Sequence, residues 1–213
     1  MARQAERPTR HVPAGGTAGL RGIGFDEALK QALLPCGDYD VTRWLFVPNT
    51  YCDWRYILGT RGRHPLICVG INPSTARPDA LDPTLQSVQR IALNNGFDSF
   101  LMFNVYAQRA TSPGDMEPEC NAALHRENVK AFDWLLSLSE RPVVWAAWGN
   151  IIDTRPYLKA CAADLVRAAA ARGADWVRCG PVSKRGHPHH PLYLRADSPL
   201  EPWDPAPSLG MEP

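Results

Sequence analysis

The side chains best placed for chemistry in this sequence follow directly on apolar runs. The run Leu66–Ile71 stops at Asn72 and Pro73, and a proline cannot donate to a sheet ladder. This pattern predicts a buried parallel strand that ends there. Ligands bind at the carboxyl ends of the strands in open α/β sheets. Asn72, together with Ser74 and Thr75, is therefore predicted to lie at a ligand site.

Three further groups of polar or aromatic residues follow predicted strands in the same way. They are Asn104 with Tyr106, Trp148 with Gly149 and Asn150, and the loop 186–193, which contains His187, His189 and His190. The carboxyl ends of parallel strands meet at one edge of a sheet. All four groups are therefore predicted to converge on one crevice.

Each group also has a purely structural interpretation. Asn72 and Asn104 can form turns, and Trp148 can belong to the core. Three histidines within four residues can bind a metal, but no cysteine or acid lies in that short run. The sequence therefore predicts no metal and no cofactor. Arg109, which follows the second parallel strand, can either bind a phosphate with its fork of donors or form a salt bridge.

The elements that must position these groups are predicted from apolar periodicity and from helix-start and helix-end residues. Four buried strands are predicted over 66–71, 100–105, 142–148 and 176–179. Helices are predicted over 25–34, 82–96, 121–138 and 153–172, and an antiparallel strand pair over 41–47 and 56–58. This alternation predicts an α/β fold of three layers, α/β/α, with a four-stranded, mostly parallel sheet and a small N-terminal strand pair.

Length and composition bound the class of protein. The chain has 213 residues, of which 45% are hydrophobic. No apolar stretch approaches the roughly 18 residues of a membrane span. The N-terminus lacks the apolar core of a secretory signal. We expect a cytoplasmic protein with no membrane partner and with six reduced, unpaired cysteines. Its oligomeric state does not follow from the sequence.

Charge is spread unevenly along the chain, although the net charge is only +1. Residues 1–22 carry four arginines and one glutamate, and they are predicted to form a flexible arm. Residues 196–213 carry four acids, five prolines and no Lys or Arg, which predicts a Pro-rich acidic tail. Residues 23–195 are predicted to form a single α/β domain. A protein that holds long duplex DNA is usually more basic, so this balance permits a nucleic-acid partner without predicting one.

The order of the motifs resembles the uracil-DNA glycosylase superfamily. The motifs are G-I-N-P at 70–73, M-F-N-V-Y at 102–106, V-W-A-A-W-G at 144–149 and H-P-x-H-P-L at 187–192. The first of them is similar to a motif of the mismatch-specific thymine/uracil branch. A closer resemblance, over roughly residues 55–195, is to a bacterial family described as a domain of unknown function. It rests on N-P-S-T-A, D-P-T, N-x-x-A-x-R-A-T, A-W-G and H-P-L-Y.

The resemblance to the glycosylases implies a uracil-DNA glycosylase-like fold and a role for several residues. Asn72 resembles the residue that positions the attacking water. Asn104 resembles the residue that reads the edge of a flipped base. His187 or His190 resembles the residue that stabilises charge on the departing base. The main chain around Ser74 and Thr75 would hold base or phosphate.

Two further roles follow from the same resemblance. Tyr106 or Trp148 would supply the face on which a flipped base stacks, and Leu192 would act as an apolar wedge. The sequence also departs from the glycosylases. Ser74 stands where the mismatch-specific enzymes usually have Gly, and residues 77–81 replace the usual stacking aromatic.

These residue types suit N-glycosidic cleavage, which needs preorganised donors and little covalent catalysis. The leading hypothesis is an N-glycosidase of the DNA-glycosylase type, a hydrolase of DNA repair that acts on a flipped or single-stranded nucleotide. One alternative is an enzyme that acts on a free nucleotide or nucleoside in the same crevice. Another is a non-catalytic module that binds nucleic acid or a nucleotide-like small molecule. An exposed Leu192 favours nucleic acid, and a Leu192 packed into the core favours a small molecule.

Overall fold

The computed structural model describes residues 8–14 and 22–212 and shows an α/β protein built on one mixed sheet. The strands are β1 (Trp44–Val47), β2 (Ile57–Thr60), β3 (Pro65–Gly70), β4 (Ser99–Asn104), β5 (Val143–Ala146), β6 (Asp175–Cys179) and β7 (Leu200–Pro202). They lie in the order β1-β2-β4-β3-β5-β6-β7. The four central strands, β4, β3, β5 and β6, are parallel, as the sequence predicts.

Helices cover both faces of this sheet. Helix α2 (Pro83–Asn94) lies on one face. Helices α1 (Phe25–Ala32), α3 (Ala122–Leu136) and α4 (Tyr157–Ala171) lie on the other face. Strands β3 and β4 are therefore buried on both sides, which explains why their sequences are nearly continuous apolar runs.

The sheet is larger than the four strands that the sequence predicts. Strand β2 pairs antiparallel with β4, so the N-terminal strand pair extends the same sheet. At the other edge β7 pairs antiparallel with β6. Both additions cover strand edges that would otherwise expose unpaired N–H and C=O groups. Strand β7 escapes prediction because it lies in the Pro-rich tail, and prolines are tolerated in edge strands.

One predicted helix begins later in the structure. The helix predicted over 153–172 starts at Tyr157, because Gly149–Thr154 form a 3₁₀ segment and Pro156 is the N-cap. Helix α2 begins as predicted, with Asp82 as its N-cap and Pro83 in its first turn.

The two predicted tails take part in the fold where the structure describes them. Residues 1–7 and 15–21 of the predicted arm lie outside the described residues. In the segment 8–14, His11 N donates to Thr111 Oγ1 at 2.8 Å, and Thr111 N donates to His11 O at 2.9 Å. In the C-terminal tail, Trp203 follows β7 and packs on Trp148, with 6.0 Å between the ring centroids.

The topology marks the carboxyl edge of β3 and β5 as the place for a ligand. From β3 the chain passes through α2 to β4, and from β5 it passes through α4 to β6 on the opposite side. The two connections diverge over opposite faces of the sheet and leave a crevice between them. Within the described part of the chain, no helix is both long enough and apolar enough to cross a membrane.

Candidate functional site

A cleft of about 360 Å³ opens at the carboxyl edge of the central strands. It is lined by the ends of β3 and β4, by residues between 72 and 85, and by parts of the loops after β4 and β5 and of the loop 186–193. Thr9, from the N-terminal segment, also lines it. Its volume falls in the range of small-molecule sites. The predicted site residues that it brings together are Asn72, Ser74, Thr75, Asn104, His190 and Leu192.

Asn72 is held by the backbone in a way that leaves one group for a ligand. Its Nδ2 donates to Ala110 O at 2.7 Å and to Pro73 O at 3.0 Å. Both amide protons are therefore used. The amide oxygen has no hydrogen-bond partner among the described residues. Because Asn72 lines the cleft, this oxygen is the acceptor that it offers to a ligand or a water molecule.

Asn104 ends β4 beside Gly70 of β3 and is only 1% exposed. In the amide orientation that suits its neighbours, Nδ2 donates to Asn72 O at 3.2 Å and to Phe103 O at 3.3 Å. This leaves the amide oxygen for a donor on the ligand. Gly70 makes room for this arrangement, because a Cβ there would lie 2.6 Å from Met102 Cε and 3.2 Å from the Asn104 amide.

His190 brings a neutral imidazole to the cleft. Its Nδ1 accepts a long hydrogen bond from Leu192 N at 3.4 Å, which assigns the ring proton to Nε2. Burial lowers the pKa of His190, and the Asp82 carboxylate opposes that shift only in part. At neutral pH the ring therefore offers Nε2–H as a donor without carrying a charge.

Trp148 and Gly149 do not line the cleft, although Gly149 lies beside the histidine loop. Trp148 is 1% exposed and packs against Trp176, with ring centroids 5.8 Å apart. Gly149 has a φ of 60°, in the left-handed region that favours glycine. A Cβ at this position would lie 3.5 Å from His190 Cβ. The turn after β5 thus passes directly beside the catalytic candidate.

Asp82 and Thr84 bring the first turn of α2 to the cleft. One carboxylate oxygen of Asp82 caps the helix by accepting from Leu85 N at 2.9 Å. The sequence pattern favours only a capping or solvated role for these residues. The structure adds a carboxylate and a hydroxyl to the cleft lining.

Arg109 lies behind the cleft and holds the loop after β3. Its Nε donates to Cys52 O at 2.9 Å, and its Nη1 donates to the carbonyls of Ser74 and Ala76. Its guanidinium lies 4.2 Å from the centre of the Tyr51 ring. Burial lowers the pKa of Arg109 to about 10, so it remains charged at neutral pH. Its contacts are to backbone carbonyls, in contrast to the predicted phosphate or salt bridge.

Arg55 belongs to the same arrangement and lines the cleft itself. It is 1% exposed, and its Nη1 donates to Ala76 O at 3.1 Å. Arg55 could not be predicted from the sequence, because it lies between an irregular loop and a short strand, where no periodicity distinguishes it from a surface arginine. Arg55 is recognised only in the three-dimensional structure, where it is a buried cation beside a cleft.

Two further predicted site residues, His187 and Tyr106, also lie away from the cleft. His187 is 2% exposed, and its Nε2 lies 3.4 Å from Asp153 Oδ2. Tyr106 is fully buried, and its hydroxyl accepts from Asn121 N at 2.9 Å at the start of α3. Both side chains are directed to partners outside the cleft, Tyr106 to the start of α3 and His187 to Asp153. Neither the catalytic role predicted for His187 nor the stacking role predicted for Tyr106 or Trp148 fits this placement.

In the part of the chain that the structure describes, no group of three or more His, Cys, Asp or Glu is suited to hold a metal ion. The histidines of the loop 186–193 diverge, since His187 pairs with Asp153 while His190 lines the cleft. The cysteines are free thiols, and the sulfurs of Cys120 and Cys161 approach to 3.9 Å.

Taken together, the cleft offers two amide acceptors, a neutral N–H donor, a carboxylate and a buried cation. Such a set can orient a water molecule, hold a polar ring and stabilise negative charge that develops on a ligand. The apolar part of the lining comes from Ile71, Leu85, Met102, Pro113, Ile151 and Leu192, with further small residues.

A model for a family described as "Protein of unknown function (DUF1643)" matches residues 55–192. The chain belongs to this family. The matched region begins at Arg55 and ends at Leu192, which both line the cleft, and it includes every cleft residue named above except Thr9. The DUF1643 region and the cleft therefore coincide along the chain. No curated protein and no solved structure matches the sequence.

Proposed function

We propose that this protein is an N-glycosidase of the DNA-glycosylase type, which hydrolyses the bond between a base and its sugar in a flipped or single-stranded nucleotide. The observation that carries this proposal is the convergence of Asn72, Asn104 and His190 on one cleft. Their available groups are two amide oxygens and one imidazole N–H. These groups suit the reaction, which needs an oriented water, a held base and a donor to the leaving group.

In the proposed reaction, a water oxygen attacks C1′ of the sugar while the bond from C1′ to the base nitrogen breaks. The sugar passes through an oxocarbenium-like state, and the base departs with the electron pair of that bond. Asn72 Oδ1 accepts a hydrogen bond from the attacking water and orients it. His190 Nε2–H donates to the departing base and stabilises its charge. The second proton of the water leaves through solvent, and the base is protonated in turn.

Asn104 is assigned to recognition of the base. Both of its amide protons are directed to backbone carbonyls, so its oxygen selects a base that presents an N–H or an amino group. The pairing of Asn72 with His190 is also what the resemblance to the uracil-DNA glycosylase superfamily implies. A distant relation to that superfamily is therefore part of the proposal.

The surface beside His190 supports a nucleic-acid substrate over a small one. Leu192 lies on the cleft and is 42% exposed, and Tyr193 is 80% exposed. An exposed leucine next to the catalytic candidate can enter the space that a flipped base leaves. An adjacent exposed tyrosine can stack on a neighbouring base.

A second candidate function is hydrolysis or transfer on a free nucleotide in the same cleft. The near-neutral net charge of +1 favours it, because binding of nucleic acid draws most of its affinity from cationic contacts to phosphates. The buried Arg55 also favours it, since a compact ligand can place an anionic group deep in the cleft.

The test is release of free base from oligonucleotides that carry uracil, hypoxanthine, xanthine or mismatched thymine. We expect more release from single strands than from matched duplexes, because extrusion of the base then costs less. Asn72→Ala is expected to lower kcat by about 10²–10³-fold. The matched control is Asn49→Ala, which also removes an amide bonded to a carbonyl, Gln31 O, but outside the cleft. No release from any substrate, together with binding of a free nucleotide, would favour the second candidate.

A further inference from the structure

Two arginines lie buried next to each other at the cleft without a counter-ion. Arg55 is 1% exposed and Arg109 is fully buried. The Nη1 atoms of both donate to the same carbonyl, Ala76 O, at 3.1 and 3.4 Å. Among the described residues, no carboxylate oxygen lies within 4.0 Å of either guanidinium.

Both guanidiniums also keep unused donors. The Nε of Arg55 and the Nη2 of Arg109 are buried and have no hydrogen-bond partner among the described residues. Burial is the main cause that lowers the pKa of Arg55. The positive charge of Arg109 lowers this pKa as well, and it has a larger effect than the Asp82 carboxylate, which raises it. A buried cation that lacks a paired charge is costly to keep. A bound anion would relieve this excess of positive charge at the cleft.

We propose that Arg55 and the first turn of α2 form a subsite for the terminal phosphate of the cleft's ligand, which makes that ligand a nucleotide and not a nucleoside. A guanidinium matches phosphate oxygens with its fork of parallel N–H donors. Because only Arg55 of the two arginines lines the cleft, it makes the direct contact, and Arg109 contributes its charge from behind.

The start of α2 supplies the remaining donors. It is the positive end of a 12-residue helix, and such ends bind anions. Pro83 has no N–H, and the N–H of Leu85 is taken by Asp82. The N–H and the hydroxyl of Thr84 are therefore the donors that this turn directs to a ligand, and Thr84 lines the cleft.

Asp82 sets the limit of the subsite. Its carboxylate caps α2 and lines the cleft, so it repels an anion placed at the cap itself. The phosphate is therefore expected on the side of Arg55 and Thr84. Asp82 is then free to accept a hydrogen bond from a sugar hydroxyl of the same ligand.

The burial of Arg55 favours a terminal phosphate over one inside a strand. A phosphodiester continues into a chain on both sides, and that chain has no room at a side chain that is 1% exposed. A phosphomonoester reaches such a group with a free end. A phosphomonoester is present both in a free nucleoside monophosphate and at the 5′-phosphorylated end of a strand.

This inference rests on the proposed function in taking the cleft as the ligand site, and it narrows the substrate of that function to a nucleotide with a terminal phosphate. It is tested by titration calorimetry with ribose 5-phosphate, which has no base to lose, and with ribose. We expect ribose 5-phosphate to bind at least about tenfold more tightly than ribose and to raise the midpoint of thermal unfolding. Arg55→Gln is expected to remove this difference. Arg90→Gln makes the same charge change on an exposed residue of α2 and is expected to preserve it.

Equal affinities of the folded wild-type protein for ribose and ribose 5-phosphate would overturn the subsite, whether or not base release is observed. Phosphate-dependent binding without base release would overturn only the glycosidase. If Arg55→Gln does not fold, Thr84→Val replaces it, with an expected loss of about threefold in affinity for ribose 5-phosphate. An oligonucleotide with a 5′-phosphate that binds more tightly than its 5′-hydroxyl form identifies a strand end as the source. A nucleoside monophosphate that binds more tightly than both identifies a free nucleotide.

Discussion

The segment 72–76 and the loop 186–193 both bring polar side chains to the cleft, but they are held in place differently. The segment 72–76 is fixed from behind by two buried arginines that donate to its carbonyls. The loop 186–193 is held by hydrogen bonds between Ser183 and His187 and by a 3.4 Å contact from His187 to Asp153, and it ends in the exposed Leu192 and Tyr193. The first region is suited to orient a water molecule. The second is suited to meet a substrate that varies in shape.

The largest effect is expected from removing the support behind segment 72–76. Arg109→Met should lower the free energy of unfolding by about 2–3 kcal/mol, because the carbonyls of Cys52, Ser74 and Ala76 lose a charged donor while part of the cost of burying the cation is recovered. Arg77→Met, on a half-exposed residue just after the segment, should change it by less than about 0.5 kcal/mol. Urea unfolding of both variants measures the difference, and equal losses would show that Arg109 is not the support.

Substitution of Gly149, in the turn beside the histidine loop, should cause a smaller loss of stability but a specific loss of activity. Gly149→Ala places a Cβ on a residue with φ of 60°, at a cost of about 1–2 kcal/mol. Because that Cβ would be in van der Waals contact with His190, at 3.5 Å, relaxation of the strained turn is expected to shift His190. Gly186→Ala, at φ of 79° with open space around it, should cost about the same without moving His190. Base release should fall about tenfold or more in the first variant and stay near wild type in the second. Equal losses of base release in the Gly149→Ala and Gly186→Ala variants would contradict the positioning role of Gly149.

The histidines should make stability depend on pH in a defined direction. Burial is the main cause that lowers the pKa of both His187 and His190 below the ordinary value of 6.5. The unfolded chain therefore binds these protons at higher pH than the folded chain does. The free energy of unfolding should be level above pH 6.5 and should fall as the pH drops below it. Unfolding at about pH 7.5, 6.5 and 5.5 measures this slope.

Variants assign that slope to individual residues. His187→Gln and His190→Gln should each flatten it, whereas His64→Gln, on an exposed residue, should leave it unchanged. A slope that neither variant reduces would place the effect in other groups, such as the partly buried His11, whose pKa burial also lowers.

The central strands could be predicted from the sequence because their signal is local. Continuous apolar runs and a Pro or Gly at the end fix strands such as 65–70 and 99–104, and Asp82 and Pro83 fix the start of α2. The edge strands could not be predicted to join the same sheet. That pairing depends on which strand of the central sheet has an unpaired edge, and the local sequence pattern carries no information about it.

The candidate site shows the same division. Asn72, Asn104 and His190 could be placed at the sheet edge because strand ends set the position of the backbone. The direction of each side chain could not be predicted from the sequence. Tyr106 and His187 are buried and contact Asn121 and Asp153 away from the cleft. A buried cation such as Arg55 also leaves no trace in periodicity, because its environment comes from segments distant in the chain.

The smallest effect on stability, and the most specific effect on substrate choice, is expected at the exposed end of the histidine loop. Leu192 is 42% exposed, so Leu192→Ala should change the free energy of unfolding by less than about 0.5 kcal/mol. If Leu192 fills the space that a flipped base leaves, its loss should reduce base release from duplexes more than from single strands, which need no wedge. Leu93→Ala, on a 51% exposed leucine of α2 that does not line the cleft, should change neither. Equal reductions on both substrates would make Leu192 a general contact.

Binding of ribose 5-phosphate should stay unchanged in both variants, because that ligand lacks a base to displace. A loss of that binding on Leu192→Ala would mean that the loop shapes the phosphate subsite as well, and the two sides of the cleft would then act as one unit.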